Sequence, residues 1–342
     1  MTGSTNGSEQ QVVDGMSTQH GPRVGRPPHQ TGPEELVQTA AMARQFYLEG
    51  RSKTEIAEEF GVSRFKVARM LETALNKGLI RLEVRLPADL DAERSDALRT
   101  RYNLRHSVVF TSTEQDTGGA ETLTRRLGAV AAGLLTEIVA DNDVLGLVWG
   151  PEIEALGPEL TVLARCTVVQ LCGVTPLRPA DANVVEAVRR AASIARGPAY
   201  PIYAPLLLPD GATAQMLRRQ PGIAEAVSQF HHVTKAIVTV GAWGPGLSTV
   251  YDALSDTERA KYRRRGVCAE VVGQLLDADG HPVAPELTER IIAIGFEELG
   301  RVPDVILLAD GAERAAATSA ALKTGLFNGI VTNTAVAEHL LR

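Results

Sequence analysis

From about Ser107 onward the chain alternates short apolar, β-branched runs with stretches of helical periodicity, and few folds accommodate that texture. The runs Ser107–Thr111, Val144–Val148, Thr167–Leu171, Ala199–Ile202, Ala236–Val240, Val267–Leu275, Val305–Leu308 and Gly329–Val331 read as strands. Patterns such as Glu121–Ala140 and Ala180–Arg196 read as helices between them. A strand that is apolar on both faces needs cover on both faces. Strands separated by helices pair in parallel, because the helix carries the chain back to its starting edge. The expectation is an α/β domain over residues 106–342, a doubly wound and mostly parallel sheet. Asp277-Ala-Asp-Gly280 lies between apolar segments and reads as a hairpin turn. It lacks the glutamate and spacing of a calcium loop, so calcium is rejected.

The chain has 342 residues, which calls for more than one domain. Residues 1–33 are rich in Gly, Ser, Thr, Gln and Pro and offer too little apolar surface to offset ordering, so a disordered tail is expected. Residues 34–86 read as a compact helical head, and residues 87–105 as a linking helix closing at Asn103.

The head carries the sharpest local signal. Thr54 is read as the cap of a helix starting at Glu55, with Ile56, Ala57 and Phe60 facing inward. Gly61 supplies the positive φ of a tight turn, Val62 plugs the corner, and Ser63 caps the next helix. Val67, Met70 and Leu71 form that helix's apolar stripe. These offsets are those of a helix-turn-helix, whose second helix enters the DNA major groove. Thr54, Ser63, Arg64, Phe65, Lys66, Arg69, Thr73 and Lys77 are the candidate DNA-contacting residues. Arginine can fork guanine, and lysine can reach guanine or a phosphate. Residues 76–84 read as a turn into a small strand, as in winged variants. The competing reading is a helical hairpin with a solvated basic face.

Charge is compatible with DNA binding without proving it. Net charge is -6, yet residues 50–86 hold eight Lys/Arg against five Asp/Glu, while residues 87–342 hold 24 against 31. No apolar run approaches the roughly 18 residues of a membrane span, and no secretory signal is evident. Cys166, Cys172 and Cys268 show no zinc-type spacing and sit among apolar residues. A cytoplasmic protein with reduced cysteines, no cofactor and no metal is expected.

In open α/β sheets ligands bind beyond the carboxyl ends of strands, where glycine turns lead into helices. Several loops here fit: Leu145-Gly-Leu-Val-Trp-Gly-Pro-Glu152, Gln170-Leu-Cys-Gly-Val-Thr175, Val240-Gly-Ala-Trp-Gly-Pro-Gly246, Ala309-Asp-Gly-Ala-Glu-Arg314 and Val331-Thr-Asn-Thr334. Trp149, Gly150, Glu152, Gly173, Trp243, Glu270, Asp310 and Arg314 are the candidate effector-binding residues. The two tryptophans suit either stacking on a sugar face or plain packing. His231-His232 read as surface or capping residues, and the basic run Arg263-Arg264-Arg265 as a solvated helix end.

From about residue 36 the chain resembles the SorC family of sugar-responsive transcriptional regulators, close to DeoR-type regulators. The resemblance lies in the helix-turn-helix, Gly146-Leu-Val-Trp-Gly150, Val168-Val-Gln-Leu-Cys-Gly173, Ala204-Pro-Leu-Leu-Leu208, Leu275-Leu-Asp-Ala-Asp-Gly280, Asp310-Gly-Ala-Glu-Arg314 and Ala320-Ala-Leu-Lys-Thr-Gly-Leu326. It implies an effector domain related to sugar-phosphate isomerases, and a homodimer or homotetramer whose DNA affinity a phosphosugar modulates. At the loops this chain departs from the family. Pro151-Glu152 stand where the resemblance implies a phosphate-holding Ser or Thr, Cys172-Gly173-Val174 replace Asn-Gly-Gly, and Ala269-Glu270 replace Gly-Asp. Arg314 replaces a lysine, and Thr332-Asn333-Thr334 replace Thr-Asp-Glu. The expected partners are therefore double-stranded operator DNA and a small sugar, polyol or sugar phosphate. A sugar-phosphate isomerase-like enzyme, with Glu152, Glu270 or Asp310 as base, is the main alternative, but it leaves the helix-turn-helix without a role. A ligand-independent DNA-binding protein is another.

Overall fold

The computed structural model describes residues 32–80, 89–111, 120–174 and 184–342. Most of the tail expected over 1–33, the small strand expected within 76–84 and the start of the helix expected at Ala180 fall outside them. The chain forms two compact units, one up to residue 84 and one from residue 85.

In the first unit three helices close on one small core: α1 (Pro33–Tyr47), α2 (Lys53–Glu59) and α3 (Arg64–Asn76). Met42, Ala43, Ile56, Ala57, Val67, Met70, Leu71 and Ala74 are buried together. Ser52, not Thr54, caps α2. Its Oγ accepts from the Glu55 amide at 3.3 Å, and the Glu55 carboxylate accepts from the Ser52 amide at 2.8 Å. This reciprocal pair satisfies two of the helix's orphan donors, so the helix begins two residues earlier than the sequence suggests and leaves Thr54 exposed in its first turn. Gly61 takes φ +61° between α2 and α3, and Ser63 accepts from the Lys66 amide at 3.2 Å, both as the sequence predicts.

The second unit begins with α4 (Ala92–Arg101), capped by Asp91. Tyr102 just beyond it donates to the Leu340 carbonyl at 3.1 Å, and Arg94 pairs with Glu338 at 2.7 Å. The helix expected to link two domains is thus a packed part of the body. The chain continues through β1 (His106–Phe110), α5 (Ala120–Ile138), β2 (Val144–Leu147), α6 (Pro151–Glu159), β3 (Thr167–Gln170), α7 (Val184–Ala195) and β4 (Ala199–Tyr200). It then runs through α8 (Gly211–Arg218), α9 (Pro221–Ser228), β5 (Lys235–Ala242), α10 (Thr249–Ala253) and α11 (Asp256–Arg264). After these come β6 (Ala269–Val271), β7 (Gln274–Leu276), α12 (Pro285–Thr288), α13 (Phe296–Leu299), β8 (Asp304–Ala309), α14 (Ala315–Lys323), β9 (Gly329–Asn333) and α15 (Thr334–Leu341).

Seven strands form the parallel sheet in the order β1-β9-β8-β5-β2-β3-β4. The second half of β5 leaves it and pairs antiparallel with β6. The stretch expected as one strand over Val267–Leu275 is a hairpin, β6 and β7, turning at Val272 (φ +47°) and Gly273 (φ +81°). Two consecutive left-handed residues make the turn that suits strand twist, but a β-branched valine there gives no sequence signal. The turn expected at Asp277–Gly280 is also present: the Asp277 carboxylate accepts from the amides of Asp279 and His281 at 2.9 Å each.

The lower ends of the strands are tied by charge. Lys235 at the start of β5 contacts Asp304 at 3.0 Å and Asp143 at 3.5 Å, and Arg105 also pairs with Asp304. Above this, α5 and α6 cross closely. A Cβ on Gly128 would lie 2.5 Å from the Ala155 carbonyl carbon, whereas one on Gly133 would meet nothing within 4 Å. Gly128→Ala should therefore destabilise the protein by about 1–3 kcal/mol through overpacking against backbone that cannot yield. Gly133→Ala in the same helix should stabilise it by about 0.5–1 kcal/mol. Denaturant unfolding of the two variants checks the opposite signs.

Candidate functional site

The strand order reverses between β2 and β5: β3 and β4 extend from β2 on one side, β8 and β9 from β5 on the other. A crevice at the carboxyl ends of strands opens where such a reversal occurs. The loop after β2 turns at Gly150 into α6 and delivers Glu152. A Cβ on Gly150 would lie 2.7 Å from the Glu152 carboxylate and 2.9 Å from the Thr239 side chain, so the glycine makes room for the acid. Thr239 on β5 donates to the Trp149 carbonyl at 3.1 Å and fixes the same loop. Asp310 follows β8 directly, and Gly311 at φ +80° leads into a short 3-10 turn that ends at Arg314.

Glu152, Asp310 and Arg314 meet there. Glu152 is 2% exposed and Asp310 3%. The Arg314 guanidinium stands 3.9 Å from Glu152, 3.6 Å from Asp310 and 3.4 Å from Glu313. Thr124 on α5 donates to the other Asp310 oxygen at 2.8 Å. Burial pushes the Glu152 carboxyl up to about 7, with Arg314 pulling it down and Asp310 adding to the rise. Asp310 is raised in the same direction, by burial first, against the bond from Thr124 and the charge of Arg314. Two buried carboxylates thus share one guanidinium through loose contacts. The Arg314 guanidinium makes no hydrogen bond shorter than 3.4 Å among the described residues. Hydroxyl groups could enter such a set as donors to the carboxylates and acceptors from Arg314.

The other sequence candidates have other partners. Glu270 accepts from Ser248 Oγ and from the Val250 amide, and so organises the turn before α10. Burial raises its carboxyl despite these bonds. Gly173 lets two backbone segments approach: a Cβ there would lie 2.6 Å from the Pro205 carbonyl oxygen. Trp243 packs edge-on against Tyr251 at 5.1 Å and Tyr262 at 6.3 Å. Arg263, Arg264 and Arg265 at the end of α11 are exposed, and basic residues of this helix also lie against aromatic side chains. Arg259 lies over Tyr251, Lys261 and Arg265 lie over Tyr262, and the latter two also pair with Glu286 at 2.8 and 2.6 Å. Those bonds, that from Lys261 above all, pull the Glu286 carboxyl down to about 2. Trp149 is half-buried at the body core, and its amide donates to Cys172 Sγ at 3.2 Å. Burial pushes the Cys172 thiol up to about 12 and the Cys166 thiol up to about 11. Thr124 was not legible as a site residue, because it stands far from Asp310 in sequence and lies in no motif.

In the head, the outer face of α3 is unusual for its free charge. Elsewhere cations are matched: Arg44 with Glu49 at 3.2 Å, Arg51 with Glu59, and Lys53 over the Phe46 ring. Arg64, Lys66 and Arg69 are exposed and have no ion-pair partner among the described residues. Thr73 bonds back to the Arg69 carbonyl at 2.8 Å, and Lys77 is the C-cap of α3. Among the described residues no group of three or more His, Cys, Asp or Glu could hold a metal, and no helix is long and apolar enough to cross a membrane.

Comparison with known proteins defines the class. The model of the "Putative sugar-binding domain" family matches residues 87–342. The chain is 28% identical to the transcriptional regulator YjhU of Escherichia coli K12, over 86% of this chain and 92% of that one. It is 26% identical to the transcriptional regulator LsrR of Klebsiella pneumoniae, over 90% and 93%. The fold matches the full-length sorbitol operon regulator SorC from Klebsiella pneumoniae with a TM-score of 0.69 at 19% identity, covering 90% of this chain and all of that one. The chain belongs to this sugar-binding domain family, and its head-and-body architecture is that of the SorC-like transcriptional regulators. These relatives are transcriptional regulators and not enzymes, so the isomerase-like alternative falls away.

The raised carboxyl of Glu152 has a consequence for stability. Between pH 4.5 and 7 the folded protein holds a proton on Glu152 that the unfolded chain has released. Stability therefore falls as pH rises through that window, by up to about 3 kcal/mol, and is flat above it. Glu152→Gln should leave the Tm nearly unchanged at pH 5 and raise it by several degrees at pH 8. Thermal melts across that range check it, and an equal shift at both pH values would count against a protonated Glu152.

Proposed function

We propose that this regulator binds operator DNA through α3 and that a small carbohydrate at the Glu152–Asp310–Arg314 cluster modulates its affinity. The observation that carries the reading is the exposed, unmatched Arg64, Lys66 and Arg69 on the helix that follows the Gly61 turn. A phosphate backbone supplies the missing counter-charge, and a helix of this kind fits the major groove. The body cluster supports the sensing half, because it is charged, buried and only loosely self-satisfied. A second DNA-binding head from a homodimer or homotetramer would read the other half-site.

The cluster also favours one class of effector. With Glu152 and Asp310 beside Arg314, a phosphate dianion would add to carboxylate charge in a buried setting, where repulsion is strong. A hydroxyl-rich, non-phosphorylated sugar or polyol meets both carboxylates as a donor. This is where the chain departs from the phosphosugar that its family resemblance implies. For such a ligand to act as a signal it must bind the DNA-competent and DNA-incompetent states unequally.

Two measurements test the reading. In a melting-shift panel of polyols, neutral sugars and sugar phosphates, a non-phosphorylated compound should raise the Tm, and Arg314→Ala should abolish the shift. In gel retardation with DNA from upstream of its own gene, that compound should change affinity by about 5- to 150-fold. The Arg64→Ala/Lys66→Ala double variant should bind that DNA at least tenfold more weakly. Retention of wild-type affinity by the double variant would overturn the DNA interface. A ligand that shifts the Tm but leaves DNA affinity unchanged would overturn the sensing role.

A further inference from the structure

Phe65 is 87% exposed, the most exposed large apolar side chain among the described residues. Its position gives the exposure a meaning. At 3.6 residues per turn Phe65, Arg69, Glu72 and Asn76 fall in one row along α3, opposite the buried stripe of Val67, Met70, Leu71 and Ala74. Phe65 is therefore at the centre of the outward face, in the first turn. Arg64 and Lys66 flank that row, one on each side. The head core closes without Phe65, so nothing among the described residues of this unit accounts for a phenyl ring there.

A surface that is apolar at its middle and cationic on both flanks needs a partner with the reverse pattern. The DNA major groove has it: phosphates along both walls, and on its floor the C5-methyl of thymine, the apolar group among the base edges. We propose that Phe65 is a specificity-determining residue that packs on a thymine methyl in each half-site, with Arg64 and Lys66 on the phosphates of the two walls. This rests on the reading of α3 as a DNA-binding helix and refines it. The base-contacting row then centres on Phe65 and Arg69, rather than on the three cations together. Glu72, absent from the sequence candidates, belongs to that row and has the chemistry to accept from a cytosine amino group.

The test replaces each thymine of the operator in turn with deoxyuridine, which removes the methyl and nothing else. With the full-length protein, at least one thymine per half-site should weaken binding about 3- to 10-fold when replaced. Phe65→Ala should weaken binding to the natural operator by a similar factor and become indifferent to that replacement, a non-additive double-mutant cycle. Phe65→Ala should leave the slope of log affinity against log salt unchanged, while Arg64→Ala and Lys66→Ala each reduce it by about one. Because Phe65 is outside the core, the variant's melting curve should match wild type. The proposal is overturned if no deoxyuridine effect disappears in Phe65→Ala. It is also overturned if the variant changes oligomeric state, which would make the ring a protein contact. If wild-type protein fails to retard the DNA at any salt concentration, the DNA-binding reading itself falls, a result distinguishable from loss of methyl sensitivity alone.

Discussion

The body depends on β8 lying between β5 and β9 along nearly its whole length. All six residues from Asp304 to Ala309 are buried, and the strand pairs in parallel on both sides. Parallel pairing alone does not fix register firmly when a strand is apolar on both faces, since a shifted strand stays apolar. The lower end supplies what the pattern lacks. Lys235 opposite Asp304, with Asp143 on its other side, can be neutralised in only one alignment. Once that alignment is set, the upper ends of β2 and β8 follow, and with them the positions of Glu152 and Asp310. The charges at one end of the sheet thus position the charges at the other.

This arrangement explains how a cluster with more acid than base persists in a buried place. Asp310 keeps a hydrogen bond from Thr124 and the nearby Arg314, while Glu152 has fewer partners and burial pushes its carboxyl up to about 7. In the proposed reading, ionisation of Glu152 and entry of hydroxyl groups would be linked, because each changes what Arg314 has to satisfy. In the head the reverse holds. Among the described residues Arg44, Arg51 and Lys53 off α3 are paired or stacked, while Arg64, Lys66 and Arg69 on α3 have no ion-pair partner.

Much of the architecture was legible because apolar periodicity is a direct record of burial. The seven strands of the parallel sheet overlap the apolar runs read as strands, and Gly61 and Ser63 act as their residue types predict. Errors arose where two residues competed for one role, or where a turn lacked its usual residues. Ser52 and Thr54 both suit a helix cap, and only the reciprocal bond with Glu55 decides between them. Val272 adopts a left-handed conformation that its side chain disfavours, so the hairpin was hidden inside one apolar run. Of the eight residues proposed for the effector, Glu152, Asp310 and Arg314 converge, and Gly150 opens space for the first of them. Glu270, Gly173 and Trp243 serve packing or turn geometry, because glycine, glutamate and tryptophan at strand ends do both kinds of work, and spacing alone does not separate them.

The crossing of α5 and α6 at Gly128 has a mechanical side. Thr124, which holds Asp310, lies one turn before Gly128; Glu152 lies close to one turn before Ala155. The two helices therefore share a fulcrum immediately behind the residues that line the cluster, and that fulcrum is bare backbone on backbone, with no side chain to act as a cushion. Slack there is small, so α5 and α6 cannot be brought closer at this point without backbone meeting backbone. A hydrogen atom in place of a methyl group at Gly128 is what lets the two helices come this close behind Thr124 and Glu152.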